Sequence, residues 1–205
     1  MAGSTFWNST ELEPKRQFKF LLILPGAPDQ PESGVETYLI KSVAKPSVTI
    51  ATGASVQFMQ HTFKYPGRLT WGDISVTLID TVRIDDTSSR LATVIKNSGY
   101  VIPANLNDAQ FSFSKRDATN ALNKPRIQQI KAGDPGNDVT PEIIEEWTLW
   151  NAWVNSVNFG ALDYSNDSIV NLTMGITFDW AEYTTKNPGE PLDYRNGGGL
   201  QQRGG

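Results

Sequence analysis

Residues 55–81 read SVQFMQHTFKYPGRLTWGDISVTLIDT. Two runs rich in β-branched and aromatic residues flank the break Tyr65-Pro66-Gly67-Arg68. Pro fixes φ and Gly accepts conformations closed to other residues, so the pair marks a turn. The flanks then form one long β-hairpin. One face of its first arm would carry Ser55, Gln57, Met59, His61, Phe63 and Tyr65. The other would carry Val56, Phe58, Gln60, Thr62 and Lys64. Large apolar groups sit on both faces, whereas a hairpin in a small monomer usually keeps one wet side. Something else must cover it, and another copy of the chain is one candidate.

The surrounding chain is also strand-rich. RQFKFLLIL (16–24) is a strand with Phe18, Phe20, Leu22 and Leu24 on one face. Residues 25–36 hold three prolines and two glycines, which force a loop. TYLIKSV (37–43) returns as a second strand. Residues 85–99 place Leu91, Val94 and Ile95 at helical spacing, with Gly99 at a C′ position. Residues 103–124 read as loop with room for a short helix, and RIQQIK (126–131) suits a strand before the turn at 133–138. Residues 140–157 are ambiguous. Ile143, Trp147, Trp150 and Val154 recur at helical spacing, yet Trp density and the break at Asn151 suit a strand. IVNLTMGITFDWAEY (169–183) alternates strictly and reads as one closing strand. An N-terminal arm (1–15), a β domain (16–183) and a Gly-rich tail expected to be disordered (184–205) follow from these patterns. The fold class is mainly β: an antiparallel sandwich or barrel of two packed sheets, with a long hairpin and one flanking α-helix.

Composition narrows function. A chain of 205 residues supports one domain with extensions. A net charge of −4 argues against general attraction to nucleic acid or anionic membrane. The absence of cysteine excludes disulfides and thiolate metal sites. No apolar run reaches the roughly 18 residues of a membrane span, and the first residues lack a signal-peptide pattern. The glycosylation triplets at Asn8, Asn166 and Asn171 therefore carry little weight.

Little points to catalysis. His61 is the sole histidine, so a histidine metal site cannot form and a Ser-His-Asp triad would have to use it. Adjacent residues on a strand face opposite ways, so Glu145 and Glu146 could not share a substrate if extended. Asp85-Asp86 precedes a helix and suits capping. Asp163, Asn166 and Asp167 crowd a turn but fit no calcium-loop spacing. Trp147, Trp150, Trp153 and Trp180 could stack on sugars, though on patterned strands burial is the default.

Several of these pieces, in order, resemble the tail tube proteins of contractile-tailed bacteriophages. They are RQFKFLLIL, the IKSVAKP corner, FMQHTFKYPGRLTWGDISVTLID and the closing GALDYSNDSIVNLTMGITFDWAEY, together about half the chain. Segment 102–138 is longer than the family pattern and the tail after Tyr183 is additional, which leaves room for a tube-initiating or baseplate protein. The resemblance implies a non-enzymatic, cofactor-free virion subunit assembled in the host cytoplasm. Six copies would form a ring, and rings would stack into a tube that conducts the genome at ejection. Its partners would be its own copies, sheath and baseplate proteins, and DNA that passes without specific binding; no membrane is involved. It also favours the strand reading of residues 142–150.

The inter-subunit hairpin is expected to use Phe58, Met59, His61, Phe63, Lys64, Tyr65 and Arg68. A conducting wall should lack free basic groups, so Lys64 and Arg68 are expected to pair with carboxylates of another subunit. A carbohydrate-binding β-sandwich module and a hydrolase using His61 remain the alternatives of other classes.

Overall fold

A computed structural model describes residues 15–26, 39–82, 86–101, 113–130 and 143–185. Two four-stranded antiparallel sheets and a separate two-stranded ribbon account for its strands. The first sheet has the order β1 (Phe20–Ile23), β6 (Arg126–Ile130), β7 (Ile143–Trp150), β10 (Trp180–Thr185). The second has the order β2 (Ile40–Val43), β5 (Ile74–Ile79), β9 (Asn171–Thr177), β8 (Trp153–Asn158). The ribbon pairs β3 (Val48–Phe58) with β4 (His61–Trp71).

The core lies between the two sheets because both supply alternating apolar residues. Ile74, Val76 and Leu78 of β5 and Leu172, Met174 and Ile176 of β9 are buried against Leu22, Ile127 and Leu149 of the first sheet. Leu91 and Leu122 join them from helices α1 (Thr87–Asn97) and α2 (Lys115–Leu122). Asp86 caps α1 by accepting from the Ser89 amide at 2.7 Å, and Gly99 follows its end at φ 101°. Asp80 accepts from the Ser88 hydroxyl at 2.8 Å, and the Thr87 hydroxyl donates to the Ile79 carbonyl at 2.9 Å. The end of β5 and the start of α1 are thereby joined.

The strand-rich sandwich and the helix expected at 85–99 are borne out. The strand reading is also correct over Ile143–Trp150, because β7 pairs with β6 on one side and β10 on the other. Asn151, at φ 53°, then turns the chain out of the first sheet and into β8 of the second.

Four expectations are corrected. The hairpin does not turn at Pro66-Gly67; it turns at Met59-Gln60, with Met59 at φ 52° and Phe58 paired to His61. Residues 74–81 are no part of that hairpin, since β5 lies in the second sheet with Ile74, Val76 and Leu78 in the core. The closing strand is two strands. β9 ends at Thr177, Phe178-Asp179 turns the corner, and β10 continues in the first sheet to Thr185, two residues into the expected tail. The alternation holds from Leu172 through Phe178 and slips by one at the corner, where Trp180 is exposed and Ala181 enters the same core. Finally, there are two helices among the described residues, α2 being capped by Ser114, which accepts from the Asp117 amide at 3.0 Å. The arm at 1–14, the loop at 27–38, the turn at 133–138 and the tail from 186 lie outside the described residues.

Candidate assembly surface

Moving the turn to Met59-Gln60 re-sorts the two faces of the ribbon. Residues paired across antiparallel strands lie on one face. Val56 pairs with Phe63 and Phe58 with His61, whereas Ser55 pairs with Lys64 and Gln57 with Thr62. The distal half therefore has one apolar face and one polar face, not two apolar faces as the sequence implied. The proximal half repeats the pattern: Val48 pairs with Trp71 and Ile50 with Leu69, while Thr49 pairs with Thr70.

Between the halves the register shifts around the pair Thr52–Pro66. Proline lacks the N–H that a regular ladder needs and is tolerated at such an irregularity. Here the backbones close up. A Cβ on Gly67 would lie 2.9 Å from the Ala51 carbonyl oxygen and 3.1 Å from Gly53 Cα. Pro66-Gly67 thus marks a close crossing within a strand, and a turn signal in sequence is a packing signal in the fold.

Among the described residues none covers this ribbon. Every residue of β3 is exposed, and so is every residue of β4 except Trp71. On the apolar face Phe58 is 62% exposed, Phe63 53% and Tyr65 54%; Met59 at the turn is 88% exposed. His61, Lys64 and Arg68 are exposed as well. The structure thus gathers all seven expected hairpin residues onto one projection, with Phe58, His61, Phe63 and Tyr65 on one face and Lys64 on the other. An isolated two-stranded hairpin is marginal in water, so an extended ribbon of this length calls for further contacts.

Its root is firmly held. Gly72 donates to the Ser47 carbonyl at 2.9 Å, closing the base, and the Trp71 ring packs on Phe178 at 5.9 Å. Lys45, just before β3, forms an ion pair with Glu145 of β7, which is also paired with Lys15. Burial of Glu145 opposes ionisation, but the two ammonium groups outweigh it and hold the carboxyl below its usual pKa. Tyr183 adds a long hydroxyl contact to the same carboxylate at 3.4 Å. This cluster fastens the ribbon's base to the first sheet. Sequence reasoning missed it, since Lys15, Lys45 and Glu145 are far apart along the chain.

A second brace holds the corners of the sandwich. Lys115 of α2 donates to Asp179 at 2.6 Å, and Asn151 donates to the same carboxylate at 2.8 Å. Lys115, then Asn151, lower the pKa of Asp179. Asp73, which follows the ribbon, accepts from Asn155 at 2.8 Å and Thr177 at 2.9 Å.

The other candidate sites resolve differently. Glu145 and Glu146 diverge as the strand rule requires, the first to the lysines and the second to the Gln128 amide. Asp163 and Asn166 close a turn on themselves. The Ser165 amide donates to Asp163 at 2.9 Å and the Ser168 amide to Asn166 at 3.0 Å. Trp147 packs at a tilt on Tyr183 with centroids 4.7 Å apart, and Trp150 stacks on Trp180 at 5.9 Å with the Lys124 ammonium 4.0 Å from the Trp150 ring. These rings are used in intramolecular contacts.

No family model matches the sequence, and no curated protein matches it. Solved structures do share the fold. One is a chain of the PVC sheath–tube complex, an extracellular contractile injection system in its extended state: TM-score 0.57, 15% identity, 86% of this chain and 98% of that one covered. A chain of the anti-feeding prophage baseplate, six-fold symmetrised, gives a TM-score of 0.54 at 9% identity over 84% and 97%. A chain of the anti-feeding prophage tube-terminating cap gives 0.50 at 14% identity over 84% and 92%. The chain therefore has the fold of components of contractile injection machines, as the resemblance implied.

Proposed function

We propose that this chain is a structural subunit of a phage tail tube. Copies assemble into rings of six, the rings stack, and the lumen conducts the genome. The observation that carries this reading is the ribbon: an exposed apolar face of a long, firmly rooted hairpin that none of the described residues covers. Exposed apolar surface on this scale marks a protein-binding site. Its location is the virion, and sheath and baseplate proteins are its further partners. Lys64 and Arg68 are neutralised at subunit joints, so passing DNA meets no adhesive basic wall.

The likeness to a baseplate chain supports a second reading, in which the subunit initiates the tube instead of forming its length. An initiator would stop at closed rings, whereas a tube subunit polymerises.

Sedimentation velocity over a concentration series tests the proposal. Ring-sized species at low concentration and longer species at high concentration are expected. A monomer at every concentration, retained on immobilised polysaccharide, would instead favour a carbohydrate-binding module.

A further inference from the structure

The ribbon needs a receiving surface, and the loop joining β8 to β9 offers one. Residues 159–170 expose Phe159, Leu162, Tyr164 and Ile169, with Leu162 87% exposed. Leu162, Tyr164, Ile169 and Val170 line an open groove of about 490 Å³ with Asp163 and Asn166 at its margin. Serine donors to Asp163 and Asn166 hold the loop in shape.

The charges of loop and ribbon are opposite. Residues 48–71 contain Lys64 and Arg68 and no carboxylate; residues 159–171 contain Asp163 and Asp167 and neither lysine nor arginine. Other carboxylates among the described residues have partners within the subunit. Glu145 and Asp179 pair with lysines, Asp73 takes Asn155 and Thr177, and Glu146 takes Gln128. Asp80 and Asp86 serve the start of α1, Asp117 that of α2, and Glu182 accepts from Trp150. On the exposed apolar loop Asp163 is held by the Ser165 amide and hydroxyl at 2.9 and 2.8 Å, which leaves Asp167 as the carboxylate with no partner among the described residues.

We infer that the groove of one copy receives the ribbon tip of a second copy, with Phe58 and Met59 in the groove and Lys64, on the ribbon's other face, reaching Asp167 of the loop. Methionine suits such a plug because its unbranched side chain adapts to irregular gaps. Ribbon and loop are different parts of the same chain, so the contact is head-to-tail. Repeated, it closes a ring or propagates a stack. The inference rests on the tube reading and names the joint which that reading requires.

A charge exchange tests it. One variant carries Lys64→Glu. The other carries Asp163→Asn, which can still accept the turn hydrogen bonds, and Asp167→Lys. Every altered side chain is exposed, so the near-ultraviolet dichroism of both variants should match wild type. Each alone should assemble only at concentrations roughly tenfold or more above wild type. An equimolar mixture should recover assembly, because the acidic ribbon of the first fits the basic loop of the second and the unaltered pair is complementary too. Assembly of the loop variant at the wild-type concentration would overturn the inference, as would a mixture no better than its components. Either result leaves the tube reading intact if wild type still polymerises. A wild type that never assembles would refute both.

Discussion

Replacing Phe58 with Asp separates what the ribbon does for the subunit from what it does for the assembly. Phe58 is 62% exposed in the free subunit. An aromatic side chain can bury about 150–250 Å², so roughly 90–155 Å² of it remains available to a partner. At about 25 cal/mol per Å², covering that area contributes about 2–4 kcal/mol to each joint. Asp forfeits this and places a charge in an apolar contact. The subunit itself loses little, because surface substitutions of this kind usually stay within about 0.5 kcal/mol. Phe63→Asp, on the same face at 53% exposure, should behave alike. Thermal unfolding of the monomeric variants should match wild-type monomer, while sedimentation at concentrations where wild type polymerises should show monomer alone. Tubes of normal length from either variant would refute the argument. Loss of several kcal/mol of monomer stability would refute it differently, by showing that the ribbon packs on its own subunit.

Gly67→Ala should leave the melting of the monomer unchanged and weaken assembly, because the added Cβ meets backbone atoms at 2.9–3.1 Å and forces the ribbon strands apart; unchanged polymerisation would contradict the close-crossing reading. Glu145→Gln should cost about 1–3 kcal/mol by thermal unfolding, less than for a fully buried pair since both lysines are about half exposed. The Glu145 carboxyl titrates below its ordinary value of 4.5, so its contribution is present above that pH and is lost as pH falls through the depressed pKa. Wild type should therefore lose more stability than Glu145→Gln on acidification, and parallel pH profiles would exclude this role. Assembled wild-type tubes should show no strong, salt-sensitive DNA binding, measured by co-sedimentation at low salt; tight binding reversed by salt would show that basic groups stand free in the channel.

The sandwich was legible because its core strands alternate cleanly. β5 and β9 send every second residue inward, and no competing helical period exists there. Sheet membership was not legible, because β9 and β10 send residues into one core from two sheets and no residue type marks the corner at Asp179. The helix–strand ambiguity over 140–157 came from tryptophans spaced to suit either period. Asn151, noted as a break, proved to be the position where the chain changes sheets at positive φ. The turn misled for a physical reason. Met59-Gln60 carries no turn chemistry, whereas Pro66-Gly67 carries the strongest kind, yet those residues serve the close crossing with Gly53. All seven candidate residues nonetheless fall on the ribbon. Their sorting into faces required the register, and the loop proposed to receive them emerged only from its exposure in the fold.

Electron microscopy of the purified wild-type protein tests the central claim most directly. End-on views should show closed six-fold rings and side views rings stacked into tubes, with each ribbon seated on a neighbouring copy. Isolated monomers at every concentration, or assemblies in which the apolar face of the ribbon stays open to solvent, would contradict it.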